Sequence, residues 1–253
     1  MKRVSFIIMA LAFIVLGACK KDSETSGSNN QNTGGTVPDV YKKIYGASDI
    51  YISGDYVVIE TPGTPDHKSP YYLDTQWENT LYEAYNGSNP QFHLNPNRIS
   101  EFTMTYKIPL NPTVDANHTA TPLGPIGISL NGVAFYNQYA GPNNQPLTDE
   151  INSFDQFNGH PQQQGNYHYH LEPVYLTANN GQEALLGFLL DGFPVYGPME
   201  NGQLVQESDL DDYHGHTHAT TDYPDGIYHY HITSVDPYIN GNGYYGIPGT
   251  VSQ

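Results

Sequence analysis

The amino-acid sequence predicts a mostly β fold, a single loop-rich domain of the β-sandwich or barrel-like kind with few short helices. Tyrosine, which favours strands, occurs 22 times, whereas 25 glycines and 19 prolines disfavour long helices. Two apolar segments are each interrupted by a turn dipeptide, Asn131-Gly132 in one and Asp191-Gly192 in the other, a pattern typical of two-residue hairpins. Residues 39–253 are numerous enough for one sizeable domain.

The chain begins with the pattern of a signal peptide, predicted over residues 1–18. Two basic residues precede an apolar run that is too short to span a bilayer comfortably, and small residues then lead to Cys19. A lipoprotein signal peptidase accepts small residues before a cysteine, so we predict that the mature chain begins at a lipidated Cys19 carrying palmitate. An ordinary signal peptide with an incidental cysteine is the alternative. Because Cys19 is the single cysteine, its acylation would leave the mature chain without a disulfide.

Residues 19–38 are rich in serine, asparagine, glycine and threonine, a composition typical of a flexible tether. We therefore expect a lipid-anchored protein of the cell envelope. Its partner would be a membrane, with the outer membrane or cell surface favoured over the inner membrane. The formal net charge of −17 argues against binding to nucleic acid, because the phosphate backbone would be repelled.

Local patterns predict the first elements of the domain. Residues 47–52 and 55–60 are expected to pair as a hairpin around a Ser-Gly turn. Residues 74–85 carry apolar side chains at helical spacing, which favours a short helix. Residues 101–108 alternate between apolar and polar side chains, which predicts a strand with one buried face.

The rest of the domain contains an internal repeat, which spans about residues 127–171 and about residues 187–232. Each copy has, in the same order, an apolar hairpin, an Asp-x-aromatic-x-Gly-His loop and a Tyr-His-Tyr-His segment. Three blocks in one order at a nearly constant offset indicate a duplicated hairpin–loop–strand unit. We expect the two units to be related by a pseudo-two-fold arrangement.

Several segments of the chain resemble the YHYH-domain family of secreted and lipid-anchored bacterial proteins. The resemblance covers most of residues 55–232 and implies a location in the cell envelope, without a defined biochemical activity. The segments that carry it are Pro-Asp-His-Lys-Ser-Pro at 65–70, Leu-Asn-Gly-Val at 130–133, Asp-Gly-Phe-Pro-Val-Tyr-Gly-Pro at 191–198, and Tyr-His-Tyr-His at 167–170 and 228–231.

The repeated segments direct their histidines to one side of a strand, because side chains two residues apart share a face. His168 and His170 should therefore point the same way, as should His229 and His231. A third histidine from each loop would complete a three-imidazole set, which suits zinc with an open fourth position, or copper. The predicted metal ligands are His168, His170, His160, Asp155, His229, His231, His216, Asp211 and His67.

The sequence features that predict the two aspartates and His67 as ligands are less specific than those for the repeat histidines. Asp155 and Asp211 would either ligate the metal or orient an imidazole by accepting its second N–H. His67 comes from the N-terminal part of the domain and could join either set. The structural alternative is that the histidines and aspartates stiffen a loop-rich domain through hydrogen bonds alone. The four tyrosines of the repeated segments are expected in the core.

The predicted residues are compatible with three functions. The favoured one is copper or zinc binding for storage, delivery or sensing. The second is a zinc-dependent hydrolase or lyase, in which three imidazoles lower the pKa of a bound water to about 7. An enzyme would also need an open cleft and a general base, and the sequence assigns no catalytic residue. The third is a tyrosine-rich module that binds glycan or a partner protein, with purely structural histidines.

Overall fold

The computed structural model describes residues 35–253, which contain sixteen strands, two short α-helices and four 3-10 segments. The predicted signal peptide, Cys19 and the predicted tether up to residue 34 lie outside the described residues. The strands are β1 (Asp49–Ser53), β2 (Tyr56–Thr61), β3 (Met104–Pro109), β4 (Gly127–Ser129), β5 (Ala134–Phe135), β6 (Tyr139–Ala140), β7 (Gln145–Pro146), β8 (Gly159–Pro161), β9 (Tyr167–Tyr169), β10 (Leu185–Leu189), β11 (Pro194–Tyr196), β12 (Met199–Glu200), β13 (Gln203–Leu204), β14 (Gly215–His218), β15 (Ile227–His231) and β16 (Thr250–Ser252). The helices are α1 (Glu78–Leu81) and α2 (Val174–Asn180), and the 3-10 segments are Tyr41–Lys43, Pro70–Tyr72, Glu150–Ser153 and Glu207–Asp209.

The predicted fold class is confirmed, because strands dominate and two open sheets share a core. One sheet has the strand order β1-β2-β3-β16 and the other has the order β14-β15-β11-β10-β4-β5-β9-β8. The hairpins β6-β7 and β12-β13 complete the described strands, and no sheet of residues 35–253 closes into a barrel. Buried side chains of both larger sheets belong to one hydrophobic cluster, as in a sandwich. Within this range no helix combines the length and apolar character that a bilayer crossing requires.

The four-stranded sheet contains the elements that local pattern predicts. β1 and β2 form the expected hairpin, with Ser53 opposite Tyr56 at its turn. β3 begins at Met104, within the predicted segment, and its alternate residues are buried. Helix α1 occupies four residues of the segment 74–85. β3 also pairs with β16 from the far end of the chain, a long-range contact that local pattern does not indicate.

The eight-stranded sheet contains the two repeat units, and its strand order is symmetric about its centre. Each unit contributes a hairpin, β4-β5 or β10-β11, whose second strand pairs in parallel with the Tyr-His-Tyr-His strand, β9 or β15. The loop strand, β8 or β14, then pairs antiparallel on the outside. The units meet where β4 and β10 pair antiparallel. Reading the order from either edge gives the same sequence of unit elements, as expected for a pseudo-two-fold relation.

The tyrosines of the repeated segments lie in the core, and each hydroxyl has a fixed partner. Tyr167 donates to the Asp155 carboxylate at 2.8 Å, and in the second unit Tyr228 donates to Asp211 at the same distance. The next tyrosine of each strand meets the turn of its own unit's hairpin. Tyr230 OH donates to Asp191 Oδ2 at 2.5 Å, and Tyr169 OH accepts from the Asn131 amide at 3.1 Å. These hydrogen bonds fix each strand relative to its hairpin, with the histidines on the opposite face.

Candidate metal centres

Strand pairing places a loop histidine opposite a strand histidine in both units. β8 pairs with β9 so that His160 faces His168, and β14 pairs with β15 so that His216 faces His229. The second histidine of each strand follows on the same face and adds a third ring. The described residues therefore contain two separate groups of possible ligands rather than one shared site. Centre 1 consists of Glu150, His160, His168 and His170, and centre 2 of Glu200, His216, His229 and His231.

The three imidazoles of each centre direct their Nε2 atoms at one another. His168 Nε2 lies 3.1 Å from His160 Nε2 and 3.0 Å from His170 Nε2. In centre 2 the Nε2 atoms of the other two rings each lie 3.1 Å from His231 Nε2. A tetrahedral zinc ion with Zn–N bonds of about 2.0–2.1 Å separates its nitrogen ligands by about 3.3 Å. The nitrogens are thus close to the spacing that a common ion imposes.

In centre 1 the protonation of the two strand histidines follows from their Nδ1 partners. His168 Nδ1 donates to the Asn166 carbonyl at 3.1 Å, and His170 Nδ1 donates to the Asn137 carbonyl at 2.5 Å. Because a carbonyl only accepts, Nδ1 holds the proton and Nε2 of each neutral ring holds a lone pair. Two lone pairs that face each other at 3.0 Å repel, and a cation between them removes the repulsion.

His160 reaches the same protonation state through a side chain. Ser153 Oγ lies 2.8 Å from His160 Nδ1 and donates its own proton to the Glu150 carbonyl at 2.8 Å, so the hydroxyl accepts from the ring. The Asn95 amide lies 3.4 Å from the same ring nitrogen and donates at 3.1 Å to the Pro161 carbonyl. All three Nε2 atoms of centre 1 are therefore free for a metal when the rings are neutral.

Centre 2 repeats this arrangement, with backbone carbonyls accepting from the Nδ1 atom of every ring. Such contacts fix the tautomer and orientation of a metal-binding imidazole. The pairs are His229 Nδ1 to Ile227 O at 3.0 Å, His231 Nδ1 to Gly197 O at 2.8 Å and His216 Nδ1 to Asp209 O at 3.1 Å.

Burial keeps the strand histidines neutral at ordinary pH. Desolvation lowers the pKa of His168 well below its usual range and that of His170 to about 4, and neighbouring imidazoles add to both effects. In centre 2 desolvation likewise lowers the pKa of His229, and it lowers that of His231 to about 4. A neutral ring is the form that ligates a metal, so the strand histidines of both centres can ligate a cation near neutral pH.

Each centre also contains one carboxylate. Glu150 Oε1 lies 3.2 Å from His160 Nε2, and Glu200 Oε1 lies 3.5 Å from His216 Nε2 and 3.6 Å from His229 Nε2. Burial alone would raise the pKa of both carboxyls, but the adjacent histidines lower it overall. A loop histidine with a proton on Nε2 would donate it to the neighbouring glutamate. The Nε2 atoms of the two strand histidines would still face each other without a proton between them. Each centre therefore offers three imidazoles and a carboxylate, a ligand set that could hold a metal ion.

Each centre forms part of the wall of its own cavity, and each of the two cavities has a volume of about 700 Å³. In centre 1 aromatic rings cover the imidazoles, because Tyr136 stacks on His168 with ring centroids 3.8 Å apart and Phe154 packs on His160 at 4.7 Å. In centre 2 the nearest such ring is Tyr196, which meets His229 edge-on at 5.1 Å. An ion or small molecule can thus reach each centre from a cavity.

The predicted aspartate ligands do not lie in either centre. Asp155 accepts from Tyr167 and, at 2.6 Å, from Ser69, and its other oxygen accepts from the Phe157 amide of its own loop at 2.9 Å. Asp211 has the equivalent place in the second unit. Both carboxylates lie on the tyrosine side of the strand, where each accepts a hydrogen bond from a tyrosine hydroxyl. These hydrogen bonds hold the loop and the strand together. They position the loop histidines without contacting an imidazole of the centres.

His67 is also separate from the two centres. Its ring is buried, with Nε2 3.0 Å from Tyr169 OH and Nδ1 3.0 Å from the Lys68 carbonyl. Aromatic rings surround it, and the nearest, Phe157, has its centroid 4.4 Å away. The structure therefore gives His67 the hydrogen-bonded, packed setting that the structural alternative describes. Of the nine predicted ligands, the six repeat histidines are brought together and the other three are not.

The two glutamates are not among the ligands that the sequence predicts. They come from different places in the repeat, since Glu150 begins a 3-10 segment and Glu200 ends β12. Alignment of the hairpin strands places Ala140 against Glu200, and the offset that aligns His160 with His216 places Gln206 against Glu150. The repeat that revealed the histidines thus gave no signal for the carboxylates. Other acidic residues lie closer in sequence to each loop histidine, so distance along the chain does not indicate the glutamates either.

The comparisons with known proteins agree with the motifs. A family model described as "YHYH protein" matches residues 105–205 and 199–243, which include both Tyr-His-Tyr-His strands and every residue of the two centres. No curated protein and no solved structure matches the chain significantly. The family match extends over more than half of the 253 residues. The chain therefore belongs to the YHYH family.

Proposed function

We propose that this protein binds a transition metal, copper or zinc, at two centres for storage, delivery or sensing. The observation that supports this most is the convergence of three Nε2 atoms in each of two repeat units, where the central nitrogen lies about 3 Å from each of the other two. Structural hydrogen bonding would need a proton between each such pair, and the carbonyl partners hold those protons on Nδ1. Three imidazoles with a carboxylate suit Zn(II) or Cu(II).

Elemental analysis of the full chain, purified without chelator and reloaded with Zn(II) or Cu(II), tests this proposal. We expect about two metal ions per chain, one for each three-histidine centre. His168→Ala should remove about one, and His168→Ala with His229→Ala should remove both. His93→Ala is the matched control, because His93 is exposed and lies outside both centres. A metal content near zero in the reloaded wild-type chain would refute the proposal.

A zinc-dependent hydrolase or lyase is the second candidate, and the cavities favour it. An enzyme of this class needs a metal that solvent can reach and a general base beside it. Each centre adjoins a cavity of about 700 Å³, and in each a glutamate oxygen lies within 3.6 Å of at least one histidine nitrogen. Cleavage of an activated ester by the zinc-loaded chain, compared with the His168→Ala, His229→Ala variant, would test it. A rate equal to that of the variant would exclude this activity for such esters.

The tyrosine-rich binding module has less support. It would be favoured by imidazoles beyond metal-ligand reach of one another, whereas the Nε2 atoms lie about 3 Å apart. The tyrosines of the repeated segments are also buried, which leaves their rings inaccessible to a glycan.

We also propose that the domain is held at the cell envelope through a lipid on Cys19. The support is the sequence pattern of residues 1–19, in which two basic residues, an apolar run and small residues precede Cys19. Cys19→Ser should move the protein from the membrane fraction to the soluble fraction and abolish labelling with palmitate. Wild-type protein that is fully soluble and unlabelled would contradict the anchor.

A further inference from the structure

The carboxylate of centre 2 is shared with an exposed histidine outside the centre. Glu200 Oε2 accepts from His218 Nδ1 at 2.8 Å, while Glu200 Oε1 faces the histidine nitrogens of the centre. The His218 side chain is 54% exposed, and its ring centroid lies 4.2 Å from that of His216. An unbroken series of ligand atoms thus leads from solvent, through His218 and Glu200, to the buried imidazoles.

Centre 1 has no counterpart of this pair. Alignment of the loop strands places Gln162 at the position of His218, and the hairpin strands place Ala140 at the position of Glu200. The carboxylate of centre 1 comes instead from Glu150. The exposed His93 lines the cavity of centre 1, but its Nδ1 contacts the Gln91 carbonyl at 3.3 Å. The difference between the units therefore lies in the residues that connect each centre to solvent.

The two centres also differ in how closely the protein encloses their loop histidine. The His160 side chain is 3% exposed, and the Phe154 ring packs against it. The His216 side chain is 14% exposed, and Leu210 occupies the position that aligns with Phe154. The loop histidine of centre 1 is therefore the more closely packed of the two, whereas in centre 2 an ion can pass from one ligand to the next.

We propose, on the basis of the proposed metal binding, that centre 2 is the exchanging centre and that Glu200 and His218 form its transfer path. Centre 1, which lacks such a pair, exchanges its ion more slowly. A buried metal leaves three imidazoles slowly, because each lost bond must be replaced by water or by another ligand. Glu200 can take the ion while it is still bound to imidazole, and His218 can then present it to a chelating acceptor outside the protein. Uptake follows the same steps in reverse, so one pair of residues sets both rates.

Stopped-flow transfer of Zn(II) from the loaded full chain to a coloured chelator tests this path. The wild-type chain should release its ions in two phases of equal amplitude. His168→Ala, which leaves centre 2 intact, should keep the fast phase, and His229→Ala should keep the slow one. His218→Gln, which introduces the residue of unit 1, should slow both release from and uptake by centre 2 about tenfold, with metal content and affinity unchanged. His93→Ala is the control and should change neither phase.

Several outcomes would overturn this proposal while leaving the metal-binding function intact. They are a single release phase, a fast phase that belongs to centre 1, and His218→Gln kinetics equal to those of wild type. Faster release with lower affinity in His218→Gln would also overturn it, because that result means His218 only holds Glu200 in place. A wild-type chain that takes up no metal would instead refute the proposed function itself.

Discussion

The histidines of the two centres are held by hydrogen bonds at Nδ1, and this determines what they can do. Each Nδ1 donates to a carbonyl or hydroxyl, so the ring cannot turn without losing a buried hydrogen bond. Each Nε2 then faces the Nε2 of at least one other ring. An imidazole that served only as a structural hydrogen-bonding group would place a donor opposite an acceptor. The observed pairing of like groups is the arrangement that a bound cation stabilises.

Asp155 allows the structural and metal-binding roles to be separated at the level of one residue. Asp155→Asn should retain about two metal ions per chain, because the carboxylate contacts Ser69 and Tyr167 and no imidazole of centre 1. Replacing a charged acceptor of several buried hydrogen bonds should lower the free energy of unfolding by about 1–3 kcal/mol. Metal analysis together with chemical denaturation measures both effects. Loss of one metal ion without loss of stability would show that Asp155 is a ligand.

Each hairpin–loop–strand unit assembles one centre. Its loop strand must lie very close to the Tyr-His-Tyr-His strand, which leaves no room for a side chain at one position. A Cβ at Gly159 would lie 2.3 Å from the Tyr167 ring, and one at Gly215 would lie 2.5 Å from Tyr228 OH. The residue before each glycine has a left-handed backbone, with φ 64° at Asn158 and φ 71° at His214. Glycine therefore lets the loop strand approach the Tyr-His-Tyr-His strand closely enough for their histidines to meet.

Gly159→Ala should disrupt centre 1 alone. The added methyl group must displace either the Tyr167 ring or β8, which moves His160 away from His168. We expect loss of about one metal ion per chain and a fall of about 1–3 kcal/mol in unfolding free energy, typical of overpacking. Isothermal titration with Zn(II) measures the change, and Gly141→Ala is the control because a Cβ there meets nothing within 4 Å. Two intact sites in Gly159→Ala would contradict this account of the loop.

At the scale of the whole molecule, the features that can be predicted from the sequence are those whose residue patterns are periodic or repeated along the chain. Strand alternation predicts which residues of 167–170 share a face, and the repeat predicts two similar units. The pairing of β4 with β10 and of β3 with β16 depends on contacts between distant segments, which no local pattern encodes. Glu150 and Glu200 were missed for a related reason, since each unit recruits its carboxylate from a different element. Proximity in sequence to a histidine does not reveal which face a side chain occupies, so the sequence places Asp155 and Asp211 beside the imidazoles although both contact a tyrosine instead.

The stability of the whole domain should depend on pH through the buried histidines. In the metal-free folded chain His170 and His231 have a pKa of about 4, against about 6.5 in the unfolded chain. Between these pH values the unfolded state therefore binds more protons than the folded state. The free energy of unfolding must then fall as pH is lowered from about 6.5 towards 4. His168 and His229 act in the same direction, because burial lowers their pKa as well.

Thermal unfolding of the metal-free and zinc-loaded chains at about pH 7 and about pH 4.5 measures this dependence. Each kcal/mol lost on acidification should lower the midpoint by roughly 2–4 °C in a domain of this size. Asp191 opposes the trend, since burial raises its pKa to about 6 and its protonation favours the folded state on acidification. His170→Asn should therefore flatten the pH dependence, whereas His93→Asn should leave it unchanged. Zinc should raise the midpoint at about pH 7 and lose this effect at about pH 4.5, because protons and metal compete for the same Nε2 atoms. A midpoint that rises on acidification, or a zinc effect independent of pH, would contradict the assignment of neutral histidines to both centres.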